Sequence, residues 1–199
     1  VRGAAPELVQ ADLLGRVPAL ALAARGALPL HASAVTARGR GLVFLGGKRF
    51  GKSTLAAALA AAGARLVADD MAVIHPGAPP RLLPGVPLFR LWSEAADQLR
   101  ERGIGGTRIE GQKLTLADLP RGRVEGGRTR LAALYLLDPS DAAADSAPAR
   151  RVPLAPTEAV MAMLTHAKLG PLLRGAPAAA HLARAAAVAA GVPAYTLRI

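Results

Sequence analysis

Residues Gly46, Gly47, Lys48, Arg49, Phe50, Gly51, Lys52 and Ser53 form an unbroken run with the spacing G-x-x-x-x-G-K-[ST], that of a loop which cradles phosphate groups. Gly46 and Gly51 let the backbone turn tightly, so that successive N–H groups and the start of the next helix point at a β-phosphate. Lys52 is placed to reach the β- and γ-phosphates, the Ser53 hydroxyl to ligate Mg²⁺, and Thr54 follows at the head of the helix. The spacing predicts a nucleoside triphosphate as ligand, with ATP and Mg²⁺ as the expected pair. The flanks agree: Leu42 to Leu45 is a short apolar strand, and Ser53 to Ala62 is rich in strong helix formers.

A second chemical signal follows one strand later. Arg65 to Ala68 reads as a short apolar strand ending in Asp69 and Asp70. Adjacent carboxylates at a strand end can divide the work of a phosphotransferase, one orienting or deprotonating an attacking hydroxyl while the other helps to hold the metal. Asp138, closing the strand Leu131 to Leu137, competes for the metal role and would serve a nucleic-acid-stimulated NTPase. His75, His166 and His181 show no partner spacing and receive no role.

The elements that must position these groups alternate between strand and helix. A helix or helix pair is expected over Leu8 to Ala24. A hairpin follows, with strands His31 to Thr36 and Leu42 to Leu45 joined by a turn at Ala37 to Gly41. The helix after the loop ends at Gly63, and Met71 to Ile74 extends as a further strand. Pro76 to Pro87 reads as loop, and Phe89 to Trp92 as a strand leading into a helix capped by Ser93. Gly103 to Arg130 is polar and glycine-rich, with a strand at Lys113 to Leu116, and is expected to act as an acceptor-binding or lid region. Asp141 to Arg150 reads as surface loop, Arg151 to Leu154 as a strand, Pro156 to Lys168 and Pro177 to Ala190 as helices, and Val192 to Arg198 as a closing strand. The whole predicts one α/β domain over residues 1–199, a mixed sheet flanked by helices.

Four ordered segments then carry a resemblance: Leu30 to Val35, Gly41 to Gly46, Gly51 to Leu55, and Gly63 to Asp70. Together they resemble the catalytic domain of the HPr kinase/phosphorylase family, and more distantly the phosphoenolpyruvate carboxykinases. Pro87 to Trp92, Gln112 to Leu114 and Val192 to Leu197 resemble a compact subgroup that accompanies ribosomally made peptides, notably lasso peptides, and phosphorylates the C-terminal serine of the precursor. The resemblance implies that Asp69 is the general base, Asp70 a carboxylate on the Mg²⁺ side, and His31 a neighbour that positions the acidic pair or the γ-phosphate. It also implies that Arg90, and less directly Lys113, serve the transferred phosphate. Thr54 stands where the family carries Glu, and the family's Arg-Gly-Leu-Gly-Ile segment has no secure counterpart, which argues against the reverse phosphorolytic reaction. Lys48 and Arg49 occupy positions where relatives have Ser and Gly, so Arg49 is expected to need a strained backbone or a shifted loop, at some cost in ATP affinity.

Composition bounds the rest. The 199 residues are 52% hydrophobic, enough for a core of their own, and no stretch combines the length and apolarity of a membrane span or a secretion signal. A cytoplasmic protein is expected. The absence of cysteine excludes disulfides and thiolate metal sites. A formal charge of +11 would suit nucleic acid, but with aromatics at 3% and arginines scattered singly, a nucleic-acid partner is not expected. The expected function is transfer of the ATP γ-phosphate to a serine hydroxyl of a peptide or small protein. The alternatives are HPr serine kinase proper and a nucleotide-binding switch or adaptor without efficient transfer. Control through the sugar-phosphotransferase system is not expected, and a homo-oligomer is compatible with the family.

Overall fold

The computed structural model describes residues 13, 15–86, 89–92, 108–110, 113–116, 124–139 and 149–199. In chain order the elements are α1 (Arg16–Ala24), β1 (Leu28–Leu30), β2 (Ser33–Ala37), β3 (Arg40–Leu45), α2 (Lys52–Ala61), β4 (Arg65–Ala68), β5 (Ala72–His75), β6 (Arg81–Leu83), β7 (Phe89–Trp92), β8 (Arg108–Glu110), β9 (Lys113–Leu116), β10 (Thr129–Asp138), β11 (Arg150–Pro153), α3 (Pro156–Thr165), a 3₁₀ turn (Gly170–Leu172), α4 (Gly175–Gly191) and β12 (Ala194–Arg198).

Nine strands form one mixed sheet in the order β1-β5-β6-β10-β3-β2-β4, with β12 added to β10 and β11 added to β12. The mixed α/β architecture is the one expected. β10 is long enough to serve two neighbours on one side: Thr129 and Arg130 pair with β6, and Leu134 to Asp138 pair in parallel with β12. Its other side pairs in parallel with β3. A separate three-stranded sheet, β7-β9-β8, approaches the body through β7, which lies against α2.

The apolar runs noted above become strands buried on both faces, and their alternation sorts side chains between two cores. Val43 and Leu45 of β3, Ala34 of β2 and Val67 of β4 face the layer that holds Met163 of α3 with Ala185 and Val188 of α4. Phe44, Val35 and Leu66, each one residue out of phase, face Ala56, Ala57 and Ala60 of α2. The period of two along a strand produces this split. Small alanines on α2 let the helix sit close to the sheet, so the loop preceding it is held by packing as well as by its own turns. Truncating a fully buried Leu45 or Leu66 is expected to cost about 2–5 kcal/mol.

Three stretches form strands that were not expected. Arg81–Leu83 forms β6 inside the segment read as loop, Leu28–Leu30 forms β1 where no strand was expected, and Arg108–Glu110 forms β8 in the region read as carrying one strand at Lys113 to Leu116. All three are three-residue strands, β1 and β6 sustained by pairing with β5 and β8 by pairing with β9. Helix α3 stops at Thr165 instead of Lys168, because Ala167 bridges to Leu30 and the His31 N–H donates to the His166 carbonyl at 2.7 Å. The helix expected at Ser93, the Leu8 end of the first helix and most of Asp141 to Arg150 lie outside the described residues.

Candidate active site

The sheet brings the two sequence signals to one edge. β3 and β4 both run antiparallel to β2 and are therefore parallel to each other, and β10 and β12 run parallel to β3. The carboxyl ends of all four strands share an edge, where open α/β sheets place their ligands. Leu45 leads from that edge into the phosphate loop, Ala68 leads into Asp69, and Ser33 at the start of β2 lies between them.

The loop has the backbone its glycines were expected to supply. Gly51 caps α2 in the left-handed conformation at φ 82°, and Gly46 sits at φ 151° with Leu137 and Phe50 so close that an added Cβ would approach them to 3.3 and 3.4 Å. Arg49 also lies in the left-handed region, at φ 70°, where a side chain costs about 1–2 kcal/mol. The strained position expected for Arg49 is therefore present. Lys52 is buried, and its ammonium donates to the carbonyls of Gly46 and Gly47, both at 2.9 Å. These bonds hold the ammonium against the first turn of the loop. Ser53 and Thr54 occupy the first turn of α2, and Lys48 and Phe50 are exposed at the rim.

Asp69 is buried and accepts a hydrogen bond from the Ser33 hydroxyl at 2.5 Å. Burying a carboxylate is tolerable when donors meet it, and Ser33 is one such donor. Asp70 has a different environment. Its backbone is left-handed at φ 68°, which turns its carboxylate toward Lys168, 2.7 Å from Oδ2, and toward His31 Nδ1, 3.1 Å from Oδ1. His31 Nδ1 also lies 3.2 Å from the Asp70 carbonyl oxygen. The hydrogen bond with His31, aided by the hydrogen bond and charge of Lys168, outweighs burial and holds the Asp70 carboxyl well below the usual carboxylate range. Asp70 is thus ionised at any physiological pH.

Lys168 and Ser33 are the polar partners that sequence reasoning missed. Lys168 arrives because residues 166–168 zip onto residues 29–31, with the Lys168 N–H donating to Pro29 O at 3.0 Å. His166, assigned nothing from sequence, belongs to the same wall. Burial, then the charges of Lys52 and His31, lower its basicity. His166 is therefore within electrostatic reach of both the loop lysine and the histidine bound to Asp70.

The outer side of β4 is closed by chain segments that fix where Asp69 emerges. Gly85 donates to Val67 O and Glu125 to Leu66 O, while Arg65 clamps Val124 O. Gly85 passes so near that an added Cβ would lie 2.6 Å from Ala68 Cβ. On the other side of the loop, Asp138 ends β10 with its carboxylate 3.8 Å from Arg198 Nε. It shares the edge with Asp69 from the opposite flank.

Arg90 lies in β7 opposite Thr115, and Lys113 in β9 opposite Trp92; the side chains of both lie outside the described residues. Among the described residues no group of three or more His, Asp or Glu forms a ready-made metal cage, and no helix is long and apolar enough to cross a membrane. The donors at this edge are oxygens, from Ser53, Asp69, Asp70 and Asp138. That set fits magnesium, which is bound by one or two protein oxygens together with substrate phosphates.

No protein-family model matches the chain, and no curated protein matches it. Among solved structures the chain is similar to the Hpr(Ser) kinase/phosphatase from Coxiella burnetii, at 15% identity and a TM-score of 0.40, over 60% of this chain. The match spans 62% of that structure, less than two thirds of its length. At this level of likeness no role passes from that protein to any residue here.

Proposed function

We propose that this protein is an ATP- and Mg²⁺-dependent kinase that transfers the γ-phosphate to a serine hydroxyl of a peptide or small protein. The observation that carries the reading is the meeting, on one sheet edge, of a complete phosphate loop with a buried carboxylate, Asp69, whose orientation is fixed by Ser33. The resemblance of Pro87 to Trp92, Gln112 to Leu114 and Val192 to Leu197 to the compact subgroup points to the C-terminal serine of a ribosomally made precursor as the acceptor.

Each group has a task in that chemistry. The loop N–H groups and the start of α2 would bind the phosphates, and Lys52 would neutralise charge as it moves toward the leaving oxygen. Asp69 would accept the proton of the attacking hydroxyl. Ser53 and Asp70 would hold magnesium, whose charge would offset that of the phosphate groups. His31 and Lys168 keep Asp70 ionised and aimed. Arg90, on a strand lying against α2, is assigned to the transferred phosphate.

A nucleotide-dependent switch without efficient transfer is the second reading, and Arg49 at φ 70° favours it, since a strained loop binds phosphate less well. Incubation with labelled ATP and a serine-containing peptide separates the two. Label on the peptide, lost in Lys52→Ala, supports the kinase; nucleotide binding with no label on any acceptor supports the switch.

A further inference from the structure

The far end of the same sheet carries a second set of groups that the phosphate chemistry does not use. A cavity of about 560 Å³ lies there, lined by Leu42, Tyr135 and Tyr195 together with Arg38, Arg40 and Arg151. β3 runs from this cavity to the phosphate loop, and five residue steps from Arg40 to Leu45 separate the two by roughly 17 Å.

Both tyrosines of the chain line this cavity. They belong to a cross-strand ladder: Phe44 pairs with Tyr135, and Tyr135 with Tyr195, in the sheet register. The rings stack on one another with centroids 5.8 and 5.6 Å apart, and the Arg151 guanidinium lies 4.4 Å from the Tyr195 ring centroid. Ring faces so occupied leave little for a nucleobase to stack on. What such a cavity offers is donors, the guanidinium N–H groups and tyrosine hydroxyls, which suit carboxylates.

The arginines are placed at a cost. Arg38 and Gly39 form a two-residue turn between the paired residues Ala37 and Arg40, with φ values of 49° and 72°. Such turns favour Asn, Asp or Gly at the first position, so Arg38 is held in a conformation that local propensity resists. No acidic side chain is among the lining residues, and Arg38, Arg40 and Arg151 form no ion pair among the described residues. The cavity also adjoins β11, whose four residues are all exposed and which, among the described residues, pairs within the sheet only with β12. An extended chain can lie along such an edge while its side chains enter the cavity.

We infer that the Arg38–Arg40–Arg151 cavity is a docking site for an acidic, extended peptide segment, remote from the phosphate loop. Calling that peptide part of the acceptor rests on the kinase reading; the binding itself does not.

The test is titration of the full chain with a fluorescein-labelled peptide of alternating Glu and Leu, alongside a labelled oligothymidine of equal charge, with ATP binding measured in parallel. The variants are Arg38→Gly, which relaxes the turn, and the combined Arg38→Gly/Arg40→Gln/Arg151→Gln. The expected result is salt-sensitive peptide binding, unaffected by Lys52→Ala, that weakens at least about tenfold in the combined variant while ATP binding is unchanged. Arg38→Gly is expected to weaken peptide binding while leaving thermal stability equal or higher, a combination that a purely structural role for Arg38 does not produce. Peptide affinity equal in wild type and combined variant overturns the proposal. So does tighter binding of the oligothymidine through the same three arginines. Peptide binding intact in a wild-type chain that transfers no label from ATP to a serine-containing peptide would count against the kinase reading and leave the docking site standing.

Discussion

The Ser33 hydroxyl donates to Asp69 Oδ1 at 2.5 Å across the gap between β2 and β4, tying the start of one strand to the end of the other. Both residues are buried, so the bond is not replaced by bulk water when it is cut. Ser33→Ala is expected to cost about 1–3 kcal/mol of stability or transition-state binding, because a buried carboxylate loses a donor. Phosphotransfer should fall by roughly tenfold or more with ATP affinity preserved. Parallel kinetic and nucleotide-binding assays check this, and an equal loss in both would place Ser33 in the fold alone.

Asp70 offers a pH test. Its carboxyl titrates below the ordinary aspartate value of 3.8, so its favourable contribution is complete above that value and is lost as pH falls through the lower, folded value. The stability difference between wild type and Asp70→Asn should therefore be constant at neutral pH and shrink in acid. Lys168→Met should raise the folded value toward 3.8, so that the loss is smaller and is complete at a higher pH. Denaturant titrations from neutrality to below pH 3 report both effects.

His181 is fully buried on α4, and neither ring nitrogen has a hydrogen-bond partner among the described residues. Burial, with the Arg184 charge nearby, lowers its basicity below the ordinary value of 6.5. A depressed value means that the unfolded chain binds a proton first, so stability is full above pH 6.5 and declines as pH falls below it. His181→Leu should stabilise by about 1–2 kcal/mol and flatten that decline; His166 shares the window and should keep part of it. Thermal melts at pH 7.5 and 5.5 decide.

Arg49→Gly removes the left-handed penalty of about 1–2 kcal/mol but adds back about 0.5–1 kcal/mol of chain entropy. A net gain of about 0 to 1.5 kcal/mol is expected, together with tighter ATP binding. Calorimetric titration of the variant tests it, and unchanged affinity would show that the loop strain at φ 70° is not felt by the nucleotide.

Local pattern announced the groups that bind phosphate, because a glycine-spaced loop between an apolar strand and an alanine-rich helix is written in consecutive residues. The β2–β3 hairpin, β4 with its acidic end, β10, α4 and β12 were legible for the same reason. Strands β1 and β6 were not: Leu28–Leu30 contains a proline, Arg81–Leu83 follows a proline-rich stretch, and each exists because β5 offers it a partner. Lys168 was hidden because the helical pattern of α3 continues through it, whereas contacts with residues 29–31 end the helix early. A signal for Ser33 was available: it stands two residues after His31, the spacing that returns to the same side of an extended chain.

In the proposed reaction Asp69 acts on the acceptor hydroxyl. Transfer of labelled γ-phosphate from ATP to a serine peptide, measured for wild type and Asp69→Asn beside ATP affinity for each, tests it most directly. Transfer is expected to fall to background in Asp69→Asn with ATP affinity within about twofold of wild type. Transfer at the wild-type rate in that variant would contradict it.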